Sequence, residues 1–167
     1  QLIVPEPPSP NRRVLWAAAL RLWAARPLLG IGPDVCRHVY GRQLGLQRFD
    51  ERIHTNSLYL EVLTGTGAVG ALAFATLLAL VLWKGGKALL KRNVFEYEAQ
   101  RLEEDAPDLD AGWWCLLATL LAVVAFLIHG VLDVFLAFTP TYLLFWLCVG
   151  MAAGLAQRQL SRTASAL

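Results

Sequence analysis

Three long apolar runs set the pattern of this chain. They extend from about Leu58 to Trp83, from about Trp113 to Phe138, and over TYLLFWLCVGMAAGLA, Thr141 to Ala156. A bilayer crossing needs roughly 17–25 apolar residues, so the first two are long enough and the third reaches that length by tilting or by borrowing from the FLAF side. A backbone in lipid has no water to bond with, so all three are expected to be helices. The Thr139-Pro140 pair reads as the corner of a helical hairpin between the second and third. Upstream the pattern changes. RRVLWAAALRLWAARP places Leu15, Trp16, Ala19, Leu20 and Trp23 on one helical stripe that Pro27 ends. Its tryptophans suit an amphipathic helix over about 12–26 lying at a membrane surface. PLLGIGPD then reads as a turn, and GRQLGLQRFDER as loop.

Composition agrees with this pattern. Of 167 residues, 56% are apolar and 17% charged, too apolar for an ordinary soluble domain of that size. The expected fold class is an all-α integral membrane protein with about three transmembrane helices and an external loop carrying the interfacial helix. The chain starts at Gln1 in the proline-rich VPEPPSPN with neither Met nor a basic-then-apolar leader. It therefore reads as a C-terminal piece of a larger polytopic protein.

Charge orients the spans. Eight Lys and Arg precede the first span and seven follow it, so totals decide nothing. The residues close to span ends carry the signal. Lys84, Lys87, Lys91 and Arg92 follow the first span directly, and Arg158 and Arg162 follow the third. Residues 84–112 and the tail 157–167 are accordingly expected in the cytoplasm, with 58–83, 113–138 and 141–156 crossing and 1–57 outside. The acidic EEDAPDLD reads as solvated connector. The outer segment has eight arginines, no lysine and four carboxylates, a bias that topology does not explain.

Several motifs can be weighed against plainer readings. GTGAVG, Gly65 to Gly70, fits the glycine pattern of a dinucleotide-binding turn, but no strand precedes it and no acidic residue follows at ~20 positions. Small residues permitting close packing in lipid explain it better. Cys36-x-His38 lacks a second pair of ligands for a metal site, and Cys115 and Cys148 sit in apolar runs as small core residues, so no metal and no cofactor is expected. IHTNSLYLE brings Thr55, Asn56 and Ser57 to the start of the first span, where any of them can cap the helix. Capping does not require His54. Beside arginines, a histidine at a helix N-terminus also suits a phosphate cradle, and both readings stand. His129 and Asp133, four apart, share a helix face and are either functional groups facing the bundle or a self-satisfied pair. Glu61, one turn into the first span, is of the same class.

The ordered set of Arg12-x-x-x-Trp16, PLLGIGPD, Tyr40, a His-x-Asn at His54 and Asn56 running into YLEVLTGTGAVGALAF, and HGVLD before a last apolar segment resembles the C-terminal portion of the O-antigen ligase family. That family includes O-antigen ligases, O-antigen polymerases and related oligosaccharyltransferases. The likeness runs from about Arg12 to Ala156. It implies a multi-pass protein of the bacterial inner membrane with its site facing the periplasm or cell exterior. The implied reaction is a metal-independent, inverting transfer of a glycan from a polyprenyl diphosphate, such as undecaprenyl diphosphate, to a hydroxyl or amine of lipid A core, protein or another polymer. By the same likeness His54 is the acceptor-activating histidine and Arg12 the diphosphate-binding arginine, with Arg13, Tyr40, Arg52, Asn56 and Asp133 as substrate-binding candidates. Many members read His-x-His-Asn, whereas this chain has Ile53-His54-Thr55-Asn56. Arginine offers a planar, permanently charged fork to phosphate, which gives the eight external arginines a use. Alternatives are a polymerase of the same family, or a non-catalytic membrane subunit whose arginine-rich loop binds a partner or anionic lipid.

Overall fold

A computed structural model describes residues 10–99 and 110–165, with side chains described for 10–91 and 111–161. VPEPPSPN lies outside it up to Ser9, as does EEDAPDLD up to Leu109. Five α-helices and one short 3-10 turn make up the described chain: α1 (Arg12–Ala25), α2 (Cys36–Gln43), α3 (Leu58–Ala99), α4 (Asp110–His129), the 3-10 turn (Phe135–Ala137) and α5 (Thr139–Ser165). The described residues contain no strand. Three of the helices are long and apolar enough to cross a membrane, over Leu58–Lys91, Ala111–His129 and Thr139–Ser161. The expected all-α membrane fold is therefore observed.

The boundaries of the second and third spans differ from those read off the pattern. Helix α4 ends at His129, and 130–138 form a bend and the 3-10 turn rather than a continuation to Phe138. Thr139-Pro140 is then not the corner but the first turn of α5. Proline fits there because a first-turn N–H has no helical partner to lose. That turn supplies the length the third span lacked. Residues 84–99, expected as loop, continue α3 as helix.

The chain forms two compact units, one of residues up to Phe74 with Ile128–Thr139, the other of Ala75–Leu127 with Pro140 onward. In the second, Leu116, Val123, Phe145, Ala152 and Ala156 are buried. Phe126 meets Phe145 edge-on, and Thr119 returns its hydroxyl to the Cys115 carbonyl at 2.9 Å, so its polar group stays satisfied in an apolar helix. Lys87 lies over the Trp83 ring at 3.9 Å.

The first unit is built around the start of α3. Helix α1 opens on Asn11, whose side chain accepts from the Val14 amide at 3.0 Å. It buries Leu15, Ala18 and Ala19, whereas Leu20, expected on the stripe, is exposed. Trp16 Nε1 donates to the Thr55 carbonyl at 2.9 Å and so fixes α1 to the His54 segment. Helix α2, which the polar pattern did not announce, is held by Tyr40: the ring packs edge-on against Phe49 and its hydroxyl donates to the Asp50 carbonyl at 2.9 Å.

Helix α3 breaks at Gly67, whose φ of 68° and ψ of −171° belong to a region that residues with a Cβ essentially never occupy. The break frees helix groups for another partner, and the turn after α1 takes them. The Ala68 and Val69 amides donate to Pro27 and Leu28 carbonyls at 2.8 and 3.2 Å, while Ile31 and Gly32 amides donate to Thr64 and Gly65 carbonyls, both at 2.9 Å. A Cβ on Gly67 would run into the Leu28 carbonyl, and one on Gly30 would meet the Thr64 carbonyl oxygen. Gly65 and Gly67 of GTGAVG and Gly30 of PLLGIG thus admit each other's backbone.

Candidate functional site

Fixing PLLGIG against α3 carries the next residues, Pro33 and Asp34, to the side of the His54 segment. Asp34 adopts a left-handed backbone (φ 62°) and Asn56 does the same (φ 52°), which bends the chain at both places. Beside Asp34 lies a cavity of about 480 Å³ lined by Pro33, Asp34, Arg37, His54, Leu58, Glu61, Val62, Gly65, Thr66, Val134, Leu136 and Ala137. A second, of about 260 Å³, is lined by Pro10, Leu15, Arg52, Ile53, His54, Asn56, Asp133, Val134 and Phe138. His54 lines both.

Around His54 the polar groups are mutually arranged. Arg37 grips Asp34 with two parallel bonds, Nε to Oδ1 at 2.8 Å and a terminal nitrogen to Oδ2 at 2.7 Å. This fork holds the Asp34 carboxyl below its ordinary value, with partial burial opposing it and the charge of Arg37 acting in the same direction as the fork. Arg37 also reaches the Glu51 carbonyl at 3.3 Å, and His38 Nδ1 meets the Glu51 carboxylate at 2.9 Å. Glu61 accepts the Thr55 hydroxyl at 2.9 Å, and that hydroxyl also contacts the Ser57 carbonyl at 3.0 Å. His54 Nδ1 is buried without a hydrogen bond; its nearest carboxylate oxygen, Asp34 Oδ1, stands at 3.8 Å, an electrostatic contact rather than a bond. Cys36, the buried first residue of α2, has its thiol pushed up to about 12 by burial and then by the Glu61 carboxylate.

Asp34, His54 and Glu61 present ligand atoms within 4.8 Å of one another and are the described residues able to hold a cation together. Both carboxylates already have partners, Asp34 in the Arg37 fork and Glu61 on the Thr55 hydroxyl.

The start of α3 is met by backbone. The Leu58 amide donates to the Gly130 and Asp133 carbonyls at 2.8 and 3.1 Å, so the 130–138 bend closes over the helix start. Thr55 is engaged as a donor, and Asn56, in its left-handed turn, lines the smaller cavity. Asp133 accepts the Val134 amide at 2.7 Å and sits 3.4 Å from His129, so that pair forms although Asp133 is off the helix.

Of the residues singled out by sequence, His54, Arg52, Asn56 and Asp133 converge on the smaller cavity. Arg52 also grips Asp50. Tyr40 faces neither cavity and spends its hydroxyl on Asp50. Arg12 and Arg13 are exposed on the first turn of α1, between Pro10 and Leu15 of the smaller cavity's wall, without lining it. Asp34 and Arg37 were not singled out. An Asp three residues before an Arg is a common surface pair, and only the Gly67 break brings this one against His54.

A family model described as O-antigen ligase matches residues 7–75. Over that stretch the chain is similar to the O-antigen ligase family. The stretch contains α1, the turn, α2, the His54 segment and α3 past its break, which together supply the larger part of both cavity walls. That stretch belongs to an all-helical chain with three helices long and apolar enough to cross a membrane. No curated protein and no solved structure matches the chain.

Proposed function

We propose that the chain is the catalytic portion of an O-antigen ligase-like glycosyltransferase, and that His54 takes the proton from the acceptor hydroxyl or amine. In the proposed step the acceptor oxygen or nitrogen attacks the anomeric carbon of the donor sugar. The bond from that carbon to the phosphate oxygen breaks, polyprenyl diphosphate leaves with the electron pair, and the proton passes to His54. One displacement inverts the anomeric centre, and in this proposal the residues named supply the base and the balancing positive charge, with no metal.

The observation that carries this reading is the place of His54, shared by two adjoining cavities with arginine on either side, Arg37 in one and Arg52 in the other. A reaction that joins a donor to an acceptor needs two compartments meeting at the base. Arginines there would balance charge developing on the diphosphate in a site poor in water. Asp34, 3.8 Å from His54 Nδ1, would steady the imidazolium once the proton arrives. Arg12 and Arg13 in this scheme draw the anionic donor toward the smaller cavity, with Asn56 and Asp133 contacting substrate at its wall. The site would face the periplasm or cell exterior of a bacterial inner membrane.

His54→Ala in the full-length protein tests this. Glycan transfer should be lost while the protein still accumulates in the membrane, and lipid-linked glycan should build up. Long lipid-linked chains would identify a ligase, and single repeat units a polymerase. A normal lipid profile in the variant would point instead to a non-catalytic subunit and overturn the proposal.

A further inference from the structure

The second compact unit carries a charge imbalance that the catalytic reading does not use. Its described side chains include Lys84, Lys87, Lys91 and Arg158 and no carboxylate. The three lysines share one face of α3. Leu78, Val81, Gly85 and Ala88, spaced three and four apart, are buried, and a Cβ on Gly85 would come within 2.7 Å of the Leu120 side chain of α4. On the opposite side Leu80, Trp83, Lys84, Lys87 and Lys91 repeat at the same spacing and are exposed. Along the helix this stripe passes from apolar residue through indole to ammonium.

Tryptophans gather where hydrocarbon meets headgroups, and here they mark the level of the lysines. Trp83 closes the apolar run of α3. Trp113 Nε1 stands 3.5 Å from the Leu89 carbonyl, with Trp114 edge-on against its ring, so indoles of both helices border the turns that carry Lys84, Lys87 and Lys91. The Lys87 ammonium lies over the Trp83 ring at 3.9 Å, which brings it back to the turn of Lys84. Two ammonium groups and an indole thus meet at headgroup level. Such a pair attracts a headgroup of net negative charge, whereas the choline of a zwitterionic headgroup offsets the attraction of its own phosphate. We infer that this face of α3 binds an anionic phospholipid, with the phosphate at Lys84 and Lys87, the acyl chains along Leu80, and Lys91 one turn further out adding to the field. The inference rests on the membrane fold, not on the catalytic role of His54, so its failure would leave that role untouched.

Photolabelling of the full-length protein tests it. The protein is reconstituted in phosphatidylcholine vesicles holding equal small amounts of two probes, a phosphatidylglycerol and a phosphatidylcholine with the same diazirine on the upper acyl chain. After irradiation and proteolysis, adducts at Leu80 and Trp83 are assigned by mass spectrometry. The glycerol probe should exceed the choline probe there by about five-fold, the weight of a single lysine at a membrane surface, at about 50 mM salt, and the ratio should fall toward one at about 1 M salt. The unmodified protein supplies this reading without any variant. Replacing Lys84, Lys87 and Lys91 together by Gln should bring the low-salt ratio near one, and replacing them by Arg should preserve it. Equal labelling by the two probes at low salt would overturn the proposal. So would labelling by neither, which would mean that protein covers this face, or a ratio that the glutamine variant leaves unchanged.

Discussion

Gly67→Ala is the sharpest test of the frame that builds the site. At φ 68° and ψ −171° an alanine stands in backbone space closed to it, worth ~1–3 kcal/mol. Its Cβ would also overlap the Leu28 carbonyl and come within 2.5 Å of the Gly30 nitrogen, so the turn has to withdraw. Withdrawal breaks the bonds from the Ala68 and Val69 amides at 2.8 and 3.2 Å, each worth ~1 kcal/mol. The sum is ~3–5 kcal/mol, a large share of the ~5–15 kcal/mol that holds a domain folded. Gly86→Ala provides the contrast. It is helical with nothing within 4 Å of the added Cβ, and the same chemical change there should stabilise by ~0.5–1 kcal/mol. Unfolding in mixed detergent micelles measures both, and hydrogen exchange over 27–32 and 64–70 locates the effect. Gly67→Ala within ~1 kcal/mol of the parent, with exchange in those stretches unchanged, would refute the backbone-to-backbone account of the two glycine motifs.

Other outcomes follow from the site. Trp16→Phe leaves the Thr55 carbonyl without its Nε1 donor and should cost about 1–3 kcal/mol of stability, and in the full-length protein it should lower the transfer rate through a displaced His54. Arg37→Lys keeps the charge but loses the fork on Asp34, so glycan transfer should fall more than ten-fold while the thermal midpoint moves little. Because the Asp34 carboxyl lies below its ordinary value of 3.8, its pairing stabilises the protein above that pH and is lost as pH falls through the folded value. The difference between parent and Asp34→Asn should therefore be present at pH 7, at most ~1 kcal/mol for so exposed a pair, and fade as pH falls through the lowered folded value of Asp34. Cys36, with its thiol near 12 and its side chain buried, should resist iodoacetamide at pH 8 in the folded protein and react once the protein is unfolded.

Much of this architecture was legible from residue pattern. Apolar length predicted three helices, and the stripe from Leu15 to Trp23 with Pro27 behind it predicted α1, because both signals are local. The failures are those of local reasoning. Gly130 and the bend after it end α4 inside an apolar run, where nothing in hydropathy distinguishes helix from 3-10 turn. Thr139-Pro140 reads as a corner because proline is as much at home in a turn as in the first turn of a helix. Helix α2 is short and polar, and its stabilisation comes from Tyr40 on Phe49 and Asp50 rather than from its own periodicity. GTGAVG reads as small residues for close packing, and the segment it packs against here, PLLGIG, lies about 35 residues upstream. The same distance hid Asp34 and Arg37, whose position beside His54 depends on that pairing. His54 itself stood out for a sound reason: capping the α3 start did not require it, and backbone carbonyls now account for the Leu58 amide.

The central claim is that His54 moves the acceptor proton at the junction of the two cavities. Its most direct test is single-turnover transfer by the full-length protein in vesicles, with a defined polyprenyl-diphosphate glycan and acceptor, comparing parent and His54→Ala. Loss of a general base predicts a fall of ~10²–10⁴ in the transfer rate with donor binding changed no more than a few-fold. A variant that transfers within a few-fold of the parent rate would contradict the account.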